Sequence, residues 1–117
     1  MVLSTKMNKI TLTADAQSDM DDIRSYIAGE LGSPKAAASV LRRISKTIRI
    51  LRTYAFAGAP LSARFNIGKD YRFLVSGNYL VFYHIEEQEI SVDRIMNGRQ
   101  NYIEKLFHGE IDEPPEE

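Results

Sequence analysis

An α+β domain of two layers is predicted for this chain: an N-terminal strand and an αα-hairpin packed on a small, mostly antiparallel sheet. Three observations predict it. Between Tyr71 and Met96 three β-branched and aromatic runs (Tyr71 to Val75, Tyr79 to Ile85, Ile90 to Met96) are separated by Ser76-Gly77-Asn78 and Glu86-Glu87-Gln88-Glu89. Gly next to Asn marks a tight hairpin turn, and the second connection is short enough for another, so the stretch reads as a meander. Upstream, two amphipathic helical patterns abut at Gly32-Ser33-Pro34. Before them, Lys9-Ile10-Thr11-Leu12 alternates polar and apolar, as a short strand does. The expected order is β-α-α-β-β-β with a short C-terminal helix.

The first helix starts at Thr13 as N-cap, with Ala14-Asp15-Ala16 as a first turn that favours negative charge. Ala16, Met20, Ile23, Ile27 and Leu31 give it one apolar stripe of about five turns, and Asp15, Asp19 and Asp22 read as solvated acids opposite. Gly32 suits the left-handed position that ends it. Ser33 caps a second helix with Pro34 in its first turn, running to about Tyr54. Ala37, Leu41, Ile44, Ile48 and Leu51 form its apolar stripe, with Arg42, Lys46 and Arg49 opposite. Ala57-Gly58-Ala59-Pro60 breaks that helix, and Leu61 to Asp70 reads as a loop with room for one short strand. Gln100 to Phe107 forms the last helix. Residues 8–107 make one domain, after a flexible leader (1–7) and before an acidic tail (108–117). The helical hairpin covers one sheet face, and the other, with arginines near it, is where function is expected.

Composition narrows the chemistry. The 117 residues suffice for one core but not two, and 44% of them are apolar. With no cysteine there is no disulfide framework, thiolate nucleophile or Cys-ligated metal. No run reaches the roughly 20 apolar residues of a membrane span, so a cytoplasmic protein without a membrane partner is expected. The formal net charge of −1 conceals a segregation. Residues 35–72 hold nine basic and one acidic side chain, and the last eight residues hold five acids and no base. A basic segment on a balanced chain suits an anionic partner, nucleic acid or acidic protein, although a solvated helix face has the same composition.

The runs LTADAQSDMDDIRSYI, LGSPKAA, YRFLVSGNYLVFYHI and DRIMNGRQNYIEKLF resemble the RelE/ParE superfamily of bacterial toxins over about residues 8–107. That resemblance implies the toxin half of a type II toxin–antitoxin module, with a cognate antitoxin as partner and no cofactor or metal. Members of the superfamily cleave mRNA on the ribosome, poison DNA gyrase, or have no settled target. Growth inhibition by ribosome-associated mRNA cleavage is the expected activity. A gyrase poison of ParE type, or a non-catalytic binding module, is the alternative.

Metal-independent RNA cleavage needs groups that move protons at the 2′- and 5′-oxygens and cations at the phosphorane. By resemblance, Arg72, Arg94 and Arg99 stand for the cations, with Tyr102 close behind. His84 is one of two histidines, and a side chain that titrates near neutrality suits acid–base work. Arg42, Lys46 and Arg49 are candidates for binding antitoxin or nucleic acid. One position departs from the cleaving members: Leu80 follows Tyr79 where they carry an arginine, which brings the Tyr79-Leu80-Val81-Phe82-Tyr83 run closer to ParE-like members. Each arginine also has a structural reading, Arg72 as a partner of Asp70 and Arg94 as part of an internal ion pair.

Overall fold

The structure, a computed structural model, describes residues 7–61 and 70–98. The expected leader and acidic tail lie almost wholly outside those residues, and the C-terminal helix, Arg99 and Tyr102 lie wholly outside them. Strand β1 (Lys9–Leu12) leads into α1 (Ala14–Ser25), and α2 (Pro34–Arg49) follows. Strands β2 (Ala59–Pro60), β3 (Asp70–Ser76), β4 (Tyr79–Glu86) and β5 (Glu89–Asn97) complete a sheet of order β1-β5-β4-β3-β2. The meander is antiparallel, as its turns require, and β1 joins β5 in parallel, since the helical hairpin supplies the long connection a parallel pair needs. No helix among the described residues is long and apolar enough to cross a membrane.

Both caps are formed. Thr13 Oγ1 accepts from the Ala16 N–H at 3.0 Å and donates to the Asp93 carbonyl at 2.9 Å, so one hydroxyl starts α1 and ties it to β5. Ser33 Oγ accepts from Ala36 N–H, with Pro34 directly after it. Gly32 takes φ +67°, a left-handed value that a residue without a Cβ adopts at no steric cost.

Three element boundaries differ from expectation. The first helix does not run as one α-helix to Leu31: Tyr26–Glu30 widen into a π-type turn, in which the Leu31 N–H reaches the Tyr26 carbonyl. Gly29 lowers the cost of leaving α geometry there, and Leu31 ends 60% exposed instead of on the apolar stripe. The second helix tightens to a 3₁₀ turn at Ile50–Arg52, short of Tyr54. The tightening seats Leu51 in the core, and Asn8 takes up the terminal carbonyls of Leu51 and Arg52 through its side chain and its N–H. Ala59-Pro60, read as a breaker, forms an edge strand on β3, where a proline's missing donor is tolerated.

The core lies between helices and sheet. Ile44, Leu51, Val81, Tyr83 and Val92 are fully buried there, together with Ala16 and Ile90. Tyr83 also does polar work, because its hydroxyl accepts from Gly58 N–H at 2.9 Å and donates to the Ala55 carbonyl at 2.8 Å. Burial raises the phenol above its ordinary value, with the Gly58 contact acting against the rise. In the unfolded chain the phenol ionises near its ordinary value of about 10, before the folded one does. Stability therefore falls as pH rises past that point. Tyr83→Phe is expected to cost about 1–2 kcal/mol at neutral pH, since two hydrogen bonds go and Gly58 N–H is stranded. Urea unfolding at neutral and alkaline pH checks this: the gap between variant and parent should narrow on the alkaline side.

Candidate functional site

Strand β5 carries one residue more than β4 opposite it: Phe82 pairs with Arg94 and Tyr83 with Val92, leaving Asp93 as a bulge. The bulge restores the apolar rhythm. Ile90 and Val92 face the helices at a spacing of two, and the extra residue lets Ile95 join them across from Val81. It also aims Asp93 across the sheet. Asp93 Oδ2 lies 2.7 Å from His84 Nδ1, and Oδ1 accepts from Ser91 Oγ at 2.8 Å. Glu86 stands 3.5 Å from His84 Nε2, and the Tyr71 ring packs 5.2 Å from the imidazole. This His84–Asp93–Ser91 group sits on the face away from the helices, in register with Tyr71. A histidine oriented by a carboxylate, with its other nitrogen near a surface glutamate, is an arrangement able to pass protons.

Two of the three arginines expected to serve as cations, Arg72 and Arg94, are engaged by the fold. Arg94 grips Asp19 of α1 through Nε (2.8 Å) and Nη2 (2.9 Å), and Asp19 Oδ2 also accepts from the Ile95 N–H at 2.8 Å. Past Leu12 the β1 strand has ended and α1 has begun, so Asp19 serves a backbone group on the edge of β5 that β1 no longer reaches. Its hydrogen bond raises the pKa of Arg94, and burial works against it. The expectation that Asp19 is a solvated acid is thereby corrected: its side chain is 12% exposed. Arg72 pairs in register with Tyr83 and so lies on the helix side of the sheet, not on the face that carries His84. It donates to Asp70 at 3.0 Å and to the Gly58 carbonyl at 2.8 Å, with its guanidinium 4.9 Å from the centre of the Phe56 ring.

The remaining cations behave as their spacing predicts. Arg42, Lys46 and Arg49 are exposed on one side of α2, and among the described residues no carboxylate pairs with them. At the far end of the sheet Gly77, Asn78, Leu80, Asn97 and Gly98 line a cavity of about 360 Å³, next to where the described residues stop. The structure therefore separates three groups: His84 on the sheet face away from the helices, Arg72 and Arg94 inside structural contacts, and the basic face of α2. Nothing local in the sequence marks Asp19 as the partner of Arg94, although the break in apolar spacing from Val92 to Ile95 is a signal for the bulge.

A family model for the ParE toxin of the type II toxin–antitoxin system parDE matches residues 10–102, most of the chain. The chain belongs to this family. In keeping with that membership, the toxin resembles a solved structure described as the chromosomal ParDE toxin–antitoxin system from P. aeruginosa. The TM-score is 0.65 at 22% identity, covering 79% of this chain and 97% of that one. It also resembles the RelBE2 toxin–antitoxin complex from Mycobacterium tuberculosis, with TM-score 0.51, 19% identity, and 78% and 91% of the two chains covered. At those identities the likeness is one of fold, and it matches the expected α+β architecture. No curated protein sequence matches the toxin.

Proposed function

We propose that this toxin arrests growth by binding a protein target of the DNA gyrase type, and that a cognate antitoxin neutralises it by covering its helical hairpin. The observation that carries the first part is the state of Arg72 and Arg94. Each is committed to a carboxylate within the fold, and Arg72 to a backbone carbonyl as well, so neither is poised for a transferring phosphate. Leu80, where cleaving relatives carry arginine, supports the same reading. A poison of this kind needs a surface and no catalytic constellation. The test runs gyrase supercoiling in parallel with primer extension on ribosome-bound mRNA. Blocked supercoiling with intact mRNA is expected; cut mRNA with unaffected gyrase overturns the proposal.

A second reading, ribosome-associated mRNA cleavage, is favoured by His84–Asp93, an oriented acid–base pair on the sheet. It requires Arg99 and Tyr102, both outside the described residues, to complete the site. Under it, His84→Gln abolishes mRNA cutting while the protein still melts cooperatively.

The antitoxin part rests on charge. Arg42, Lys46 and Arg49 form an exposed basic row on α2, complementary to an acidic segment with an apolar stripe. Reversing Arg42 and Arg49 together should slow association by about tenfold at low salt and flatten its salt dependence. Unchanged association kinetics would place the antitoxin elsewhere.

A further inference from the structure

We infer that the loop following α2 is a stacking platform for single-stranded nucleic acid, with Tyr54 and Phe56 receiving bases and Arg49 and Arg52 taking phosphates. The inference holds for either target and concerns the opposite side of the sheet from His84. Tyr54 and Phe56 are each 64% exposed, among the most exposed large apolar side chains of the described residues. Their exposure does not come from a loose loop. Tyr83 Oη holds Gly58 N–H and the Ala55 carbonyl, and Arg72 holds the Gly58 carbonyl, so three hydrogen bonds to buried or half-buried side chains fix the segment between the two rings and the sheet. Ala55, between the two aromatics, packs against the core. The fold thus fixes the backbone and leaves the rings outside, which lowers the ordering cost of any ligand that stacks on them.

The surroundings select the ligand. From Pro34 to Leu61 the chain contains no acidic side chain. Arg49 and Arg52 are exposed beside the loop, and among the described residues no carboxylate pairs with either. The Arg72 guanidinium, paired with Asp70, lies 4.9 Å from the Phe56 centroid and backs one face of that ring. Aromatic faces interleaved with cations are what an unpaired strand uses, bases on rings and phosphates on guanidinium groups. Duplex DNA offers no free base to stack, and an acidic peptide without apolar side chains would use the cations and leave both rings unmatched.

The experiment measures anisotropy of a labelled oligothymidylate of roughly 12 nucleotides bound by the full-length toxin across a salt series. Parallel arms use the same length of duplex and of polyglutamate. The parent is expected to bind the single strand at least tenfold tighter than either. Tyr54→Leu with Phe56→Leu keeps apolar bulk but removes stacking, and should weaken binding about tenfold or more with the salt slope unchanged. Arg49→Glu with Arg52→Glu should weaken it and reduce the slope by about 1.4, two phosphates at roughly 0.7 each. Thermal melts of both variants establish that they fold. Equal affinity for duplex, equal affinity for polyglutamate, or an unweakened leucine variant would each overturn the platform.

Discussion

Asp19→Ala is expected to cost about 3 kcal/mol of stability, although the sequence presents Asp19 as an ordinary acid on the polar face of a helix. Its two oxygens hold three donors: Nε and Nη2 of Arg94 and the N–H of Ile95. Removing it takes the carboxylate away from a guanidinium that is only 20% exposed and from a strand-edge N–H. Breaking a buried pair costs about 3–5 kcal/mol, and the residual exposure of this one places it at the low end. Arg94→Ala should cost less, about 2 kcal/mol, because Asp19 keeps the Ile95 N–H. Asp19→Asn, which retains an acceptor, should fall between the parent and the alanine variant. In a domain of this size 3 kcal/mol lowers the melting temperature by on the order of 10 °C. The double variant should show strong coupling between the two positions, of about 1–2 kcal/mol. An alanine variant that melts with the parent would mean that the α1–β5 contact contributes nothing to stability. The same series bears on toxicity: arrest lost by Arg94→Ala is meaningful only beside its melt, since this arginine holds the fold together.

What could be read in the sequence was local. The caps at Thr13 and Ser33, the left-handed Gly32 and the Gly77-Asn78 turn each depend on residues within a few positions, and each is found. The apolar stripe of α2 and its exposed cations follow from helical spacing in the same way. What could not be read depends on partners far along the chain. Arg94 and Asp19 are 75 residues apart, and Tyr83 reaches the loop at Gly58 across 25. The face of Arg72 is not legible either, because strand parity alone does not say which set of side chains meets the helices; the apolar partner Tyr83 decides it. The π-type turn after α1 escaped for a related reason. An amphipathic stripe continues through Ile27 and Leu31 in the sequence, but a single widened turn rotates Leu31 into solvent. His84 stands out in sequence as one of two histidines, but nothing local marks Asp93 as its partner, and the bulge brings the two together.

Gly58→Ala is the other substitution expected to act strongly, and it joins the fold to the proposed platform. A Cβ at this position would stand 2.5 Å from the Phe73 carbonyl oxygen, 2.7 Å from the Tyr83 hydroxyl and 2.9 Å from its ring. Two of those neighbours cannot yield easily: one is backbone of β3, and the other is a fully buried tyrosine. Either the loop lifts, losing the contacts that Tyr83 and Arg72 make with Gly58, or β3 moves against β4. Overpacking of this kind costs about 1–3 kcal/mol, and about 1 kcal/mol more follows for each hydrogen bond lost, so about 3–4 kcal/mol is expected. Tyr83→Phe relieves part of the crowding, because the hydroxyl is one of the obstructing atoms. The double variant should therefore be less unstable than the sum of the two single ones. Tyr54 and Phe56 keep their side chains in Gly58→Ala, but the backbone that presents them is no longer fixed. Oligothymidylate binding should then fall while the basic row on α2 is untouched, and the salt slope should stay close to that of the parent. Chemical unfolding of the three variants, followed by the same anisotropy titration at a temperature where each is folded, separates these effects. A Gly58→Ala protein with parental stability would show that the loop has room the close contacts deny, and that the hydrogen bonds of Tyr83 do not set its shape.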